Sequence, residues 1–69
     1  MIINKDNFFY RNRKEIDRIS RAQNVDAGVA TSIFAHDHKG EYTPAEINEW
    51  MNMMSHYQRG ARTLDQLFQ

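Results

Sequence analysis

The chain has 69 residues and no cysteine, and its nine basic residues are balanced by nine acidic ones, so the formal net charge is zero. This length suffices for one small hydrophobic core, which predicts a single domain over residues 1–69, and disulfide bonds are excluded. Zero net charge argues against the positive field of nonspecific nucleic-acid-binding proteins. Lys5 and Asp6 interrupt any N-terminal secretory signal, and no apolar run approaches the roughly 20 residues of a membrane span, so we expect a cytoplasmic location without membrane contact.

The charges are unevenly distributed along the chain. Residues 1–24 hold six basic and three acidic side chains, which gives +3, whereas residues 25–69 hold three basic and six acidic ones, which gives −3. Oppositely charged halves can pair within one chain or between two copies. The distribution therefore also allows a homodimer.

The first predicted helix runs from Asn7 to about Gln23, because its apolar and neutral residues fall on one side at 3.6 residues per turn. The opposite side carries four basic residues, which we call the basic stripe: Arg11, Lys14, Arg18 and Arg21. Such a stripe is typical of a solvated helix face. It is also a candidate contact surface for an acidic partner.

A second helix is predicted after a turn. Asn24 can end the first helix in a left-handed conformation, and Asp26 can cap the helix that follows. The polar run after His36 predicts the end of this second helix near that residue.

The third predicted helix has the clearest beginning. Thr43 and Glu46 form a capping-box pattern, and Pro44 occupies the first helical position, where its missing N–H group leaves no donor unpaired. The helix should end near Arg59, before Gly60. Its apolar residues keep helical spacing and are Ile47, Trp50, Met51, Met54 and Tyr57. We expect Trp50, at the middle of these residues, to be buried.

A weaker capping box from Thr63 to Gln66 predicts a short terminal helix or a docking tail. No alternating β pattern of useful length is present. The sequence therefore predicts an all-α fold, a small bundle of three to four short helices.

The polar segment between the second and third predicted helices has a regular spacing: if Ala35 is counted as position 1, Asp37 stands at position 3, Gly40 at position 6 and Glu46 at position 12. With this spacing, residues 27–54 resemble an EF-hand, the calcium-binding helix-loop-helix, in which position 6 is the sharp turn. The resemblance implies two helices joined by a compact loop.

The sequence differs from the EF-hand family at the positions that bind calcium. Calcium needs oxygen ligands at the first and fifth loop positions, but Ala35 and Lys39 stand there. The resemblance therefore implies a loop that has lost calcium or binds it weakly. Calcium binding is the third of our functional hypotheses.

Residues 19–33 resemble a helix-turn-helix, with Ser20 at the small-residue position and Asn24 in the turn. The implied recognition helix begins with Asp26 and Gly28, and its predicted groove-facing residues include no Arg, Lys or Gln to contact bases or phosphates. A DNA-binding regulator is therefore the second functional hypothesis, behind protein binding.

The residues that could carry chemistry do not form a recognised site. His36, Asp37 and His38 are adjacent, and adjacent ligands need help from Glu41 or His56 to converge on a metal ion. A nucleophile elbow, a pair of zinc-ligand motifs and a phosphate-binding glycine loop are all missing from the sequence. We expect no metal, no cofactor and no enzymatic activity.

The last 20 residues are rich in methionine and aromatic residues, which are favoured at surfaces that bind partners. Among these residues, we expect Met53, Tyr57, Leu67 and Phe68 to be exposed and to contact a partner. Together with the basic stripe they form the predicted partner-binding set. The sequence predicts a small module that modulates another protein by docking, as an inhibitor or adaptor. Proteins this short are often encoded by phages or mobile elements, which is an association only.

Overall fold

The computed structural model describes residues 7–68, which form five α-helices and no strand. The helices are α1 (Phe8–Arg11), α2 (Arg13–Gln23), α3 (Ala27–Asp37), α4 (Pro44–Gln58) and α5 (Leu64–Leu67). The predicted all-α class is confirmed, with one helix more than expected. Lys5 and Asp6, used above to argue against a secretory signal, lie outside the described residues. Within 7–68, no helix is long and apolar enough to cross a membrane.

The first predicted helix is divided in two at Asn12. The side chain of Asn7 caps α1 by accepting hydrogen bonds from the N–H groups of Phe9 at 2.9 Å and Tyr10 at 3.3 Å. Asn12 leaves the helical conformation, with φ −105° and ψ 22°, and its side-chain amide donates to the carbonyl of Phe8 at 2.8 Å. Asparagine side chains compete in this way with the backbone N–H groups for helical carbonyl acceptors, which explains the break between α1 and α2.

The remaining helix ends follow the predicted signals. Asn24 is left-handed with φ 53° and ψ 50°, and the Asp26 carboxylate accepts the N–H of Val29 at 2.9 Å, so the turn between α2 and α3 is as predicted. Both halves of the capping box are present between Thr43 and Glu46 at the start of α4. The same two bonds are present between Thr63 and Gln66 at the start of α5.

The core is built around α3, against which α2, α4 and α5 pack. Small residues on α3 allow this close approach, and its buried Thr31 hydroxyl donates to the carbonyl of Ala27 at 2.7 Å. Aromatic residues pack together at one side of the core, where the rings of Phe9 and Trp50 stack with centroids 6.1 Å apart. The buried hydrophobic residues are Phe9, Ile16, Ala27, Ala30, Phe34, Ala35, Met53, Leu67 and Phe68.

The buried side of α4 differs from the predicted one. Met53 is fully buried, so its expected position on an exposed flank is wrong, whereas Met51 is 62% exposed. Neighbouring helices contact α4 along one line of residues, and this line determines which side of α4 is buried. Along it, Glu46 accepts the N–H of Phe8, Trp50 stacks on Phe9, and Tyr57 lies against Gly28. Met53 lies on this line. Trp50 is partly buried, which is less than we expected.

The C-terminal residues Leu67 and Phe68 are also buried, so the expectation that they form an exposed docking tail is wrong. Because α5 packs against both α3 and α4, the side chains of Leu67 and Phe68 complete the core. The ring of Phe68 meets the ring of Tyr10 edge-on, with centroids 5.2 Å apart.

Candidate protein-binding surfaces

The basic stripe lies on the solvent side of the N-terminal helices. Only Ile16 of α2 is buried, and the stripe residues stand on the side of the helix away from it. The side chains of Arg11, Arg18 and Arg21 are 57%, 73% and 82% exposed, and Lys14 is exposed as well. The spacing of Lys14, Arg18 and Arg21 places these three on one helix face.

Three residues of the stripe form ion pairs within the domain. Arg18 pairs with Glu15, Arg21 pairs with Asp17 at 3.0 Å, and Arg11 lies 3.5 Å from Glu46. Glu46 is mostly buried, whereas the pairs of Arg18 and Arg21 join exposed groups, and such pairs contribute little to folding stability because water competes for both partners. A carboxylate from another molecule can therefore replace the internal one at little cost.

Two further cations lie beside these pairs. Lys14 and Arg13 make no ion pair with residues 7–68. The guanidinium of Arg13 lies 4.3 Å from the ring centroid of Tyr10, in a cation–π contact. With Arg13 included, residues 7–24 carry five basic and two acidic side chains, a net charge of +3.

A second surface, the α3–α4 face, lies on two neighbouring helices and is richer in apolar side chains than the stripe. It consists of five exposed residues and one half-buried residue, Met54: Val29, Ser32 and His36 of α3, and Ile47, Met51 and Met54 of α4. The Ser32 hydroxyl lies 3.8 Å from the Met54 sulfur, which joins the two halves. Val29 and Ile47 are each 38% exposed. No residue of the α3–α4 face is Lys, Arg, Asp or Glu.

Tyr57, predicted to contact a partner, is instead held by groups inside the domain. Its hydroxyl donates to Asp26 at 2.9 Å, and the guanidinium of Arg62 lies 4.0 Å from its ring centroid. The pKa of Asp26 is lowered, mainly because the Val29 N–H donates to its carboxylate, and the bond to Asp26 raises the pKa of Tyr57. Tyr57 is partly buried, and these contacts join the ends of α3 and α4.

The acidic residue at the twelfth position of the EF-hand resemblance, Glu46, lies in the first turn of α4 and caps that helix. Glu46 accepts the N–H of Thr43 at 2.8 Å and the N–H of Phe8 at 2.9 Å, and these bonds, Thr43 first, lower its pKa. Ala35, at the first position of the EF-hand resemblance, is buried within α3. Among residues 7–68, no three His, Asp or Glu side chains are grouped as a metal site requires. The resemblance to an EF-hand stays a prediction.

The helix-turn-helix resemblance falls on α2, the turn at Asn24, and α3. The exposed residues of α3 include Val29, Ser32 and His36. None of these three is a lysine or arginine that would contact phosphate. The DNA-binding hypothesis also stays a prediction.

The predicted site residues thus divide into two groups. The four residues of the basic stripe are exposed, whereas Met53, Leu67 and Phe68 are buried and Tyr57 is partly buried. Sequence reasoning missed the exposure of Ile47 and Met51, which belong to the apolar, core-facing residues of the third predicted helix. The exposed Asn48 and Asn52, each one residue after an exposed apolar residue of α4, were the available sign that this edge of the helix faces solvent.

Comparison with protein-family models, with curated proteins and with solved structures finds no match to this chain. Its function is therefore inferred from its own surfaces.

Proposed function

We propose that the protein is a small docking module that binds an acidic surface of another protein through the basic stripe. One observation carries the proposal: Arg11, Lys14, Arg18 and Arg21 remain exposed together, whereas Met53, Leu67 and Phe68 are used by the core. Docking would act by holding the partner or by covering part of its surface. We propose no catalytic step.

The dimensions of the stripe favour a compact acidic patch. Within α2 the stripe rises about 10 Å from Lys14 to Arg21, at about 1.5 Å per helical residue. Residues 25–69 carry a net charge of −3, including the exposed Asp37, Glu41 and Asp65. The zero net charge of the chain does not attract a long polyanion such as duplex DNA, whereas a local acidic patch on a protein can pair with the stripe alone.

The test compares two variants of the full chain. Each loses one lysine and one arginine, but from different parts of the surface. Lys14→Gln/Arg18→Gln removes one lysine and one arginine from the stripe, and Lys39→Gln/Arg59→Gln removes one of each from exposed positions elsewhere. Glutamine keeps high helix propensity, so α2 should remain folded. Tagged wild-type protein first captures partners from the native host, and the affinity of each purified partner is then measured for all three proteins.

We expect the stripe variant to bind its partner roughly five- to thirtyfold more weakly, since two exposed charge contacts are lost, and the control variant to bind as the wild type does. Equal weakening in both variants would indicate only a dependence on net charge and would contradict the proposal. Saturable binding of duplex DNA, or of calcium at micromolar concentration, would instead support one of the two alternative functions.

A further inference from the structure

The α3–α4 face is an apolar surface that the rest of the described domain leaves uncovered. Met51 is its most exposed large hydrophobic residue, Val29 of α3 and Ile47 of α4 are also exposed, and Ser32 contacts Met54 between the two helices. We infer that this face binds the same face of a second copy of the chain, forming a two-fold homodimer. The inference is independent of the basic stripe and of the function proposed for it.

The absence of charge on the α3–α4 face is what favours a second copy. In a two-fold interface each surface meets its own copy, so a face with charges of one sign repels itself. The two acidic residues of α4 do not belong to this face: Glu46 binds the N–H groups of Thr43 and Phe8, and Glu49 is half-buried, two residues before Met51 and so on another side of the helix. The basic stripe, by contrast, could not pair with itself.

The geometry of the face also fits pairing. α3 and α4 run antiparallel, since Gly28 lies against Tyr57 near one end and Ser32 contacts Met54 one turn further along. On α4 the apolar residues Ile47, Met51 and Met54 keep the spacing of a helix-packing edge. Two such helix pairs facing each other give the four-helix arrangement in which apolar edges are commonly buried.

The area of the α3–α4 face sets the expected strength. α3 has 11 residues and α4 has 15, so the helices are about 16 and 22 Å long. Two helices whose axes lie about 9 Å apart present roughly 400 Å² to a partner, about half of what one side of a stable interface buries. We therefore expect a weak dimer, with a Kd between about 10 µM and 1 mM.

The test is sedimentation velocity of the full chain across that concentration range. Wild-type protein should shift from the mass of one chain towards twice that mass as concentration rises. Met51→Lys places a charge against its own copy and should remain monomeric throughout. Asn52→Lys adds the same charge at the neighbouring exposed residue, outside the α3–α4 face, and should dimerise as the wild type does.

The basic-stripe variant Lys14→Gln/Arg18→Gln should also dimerise normally, so this inference and the proposed function can fail separately. Wild-type protein that stays monomeric at about 1 mM would overturn the inference. Dimerisation that survives Met51→Lys, whatever the behaviour of Asn52→Lys, would place the contact elsewhere and would overturn it too.

Discussion

The ring of Tyr57 lies directly against the backbone of Gly28, so closely that a Cβ atom on residue 28 would stand 2.0 Å from the ring carbon Cδ1. The ring cannot easily move away, because its hydroxyl binds Asp26 and Arg62 stacks on its face. Gly28→Ala should therefore destabilise the domain by about 1 to 3 kcal/mol, although alanine is normally the better helix former. Urea unfolding of the two proteins measures the difference.

The control for Gly28→Ala is the same substitution in a Tyr57→Ala background, which removes the ring. There the added methyl group meets no ring carbon, and alanine should be neutral or stabilising by up to about 1 kcal/mol. An equal loss of stability in both backgrounds would mean that the close approach to Tyr57 is not the cause.

The two methionines at positions 51 and 53 of α4 should respond differently to truncation. Met53→Ala empties a fully buried site in the core and should cost about 2 to 5 kcal/mol of unfolding free energy. Met51→Ala removes a side chain that is 62% exposed and should change stability by less than about 0.5 kcal/mol. Thermal unfolding followed by circular dichroism, at concentrations where the chain is monomeric, compares them. Similar losses in both variants would show that both methionines belong to the core.

Much of the helical framework could be predicted because its signals are local. Asn24 at the end of α2, Asp26 at the start of α3, and the box of Thr43 and Glu46 each act on backbone groups within a few residues of themselves. The break at Asn12 was missed, because a helical asparagine and a helix-ending asparagine look alike in a periodic pattern.

The buried side of α4 could not be predicted in the same way. The apolar residues from Ile47 to Tyr57 cover a broader arc of the helix than its neighbours bury, so periodicity alone does not say which edge remains exposed. Contacts with α1 and α3, which are distant in sequence, make this choice and bury Met53 instead of Met51. Burial of Leu67 and Phe68 likewise depends on where α5 packs. The exposure of the basic stripe was predictable, because charged side chains are rarely buried.

Glu46 should make folding stability depend on pH. Its pKa is lowered in the folded protein, chiefly by the Thr43 N–H, so the folded state binds fewer protons than the unfolded chain near that pKa. The stabilising contribution is present above the ordinary glutamate pKa of about 4.3 and is lost as the pH falls through the lower, folded value. Glu46→Gln should therefore be less stable than wild type by about 1 kcal/mol at neutral pH, with the difference shrinking as the pH falls below the ordinary glutamate pKa.

Urea unfolding at several pH values measures this difference, with the exposed Glu41→Gln as the matched control. The lowered pKa of Asp26 leaves some pH dependence in both variants, with the same sign. A Glu46→Gln variant whose deficit is constant with pH would show that the carboxylate charge does not contribute.

The most direct test of the docking proposal is site-specific photocrosslinking in the native host. A benzophenone amino acid replaces Ala22, which is exposed on α2 beside Arg18, or Met51 on the α3–α4 face. From position 22 we expect a crosslink to a different protein, at an acidic segment, which disappears when Lys14 and Arg18 are changed to glutamine. From position 51 we expect a crosslink to a second copy of this chain. A different protein captured from position 51, with none captured from position 22, would contradict the assignment of the docking surface to the basic stripe.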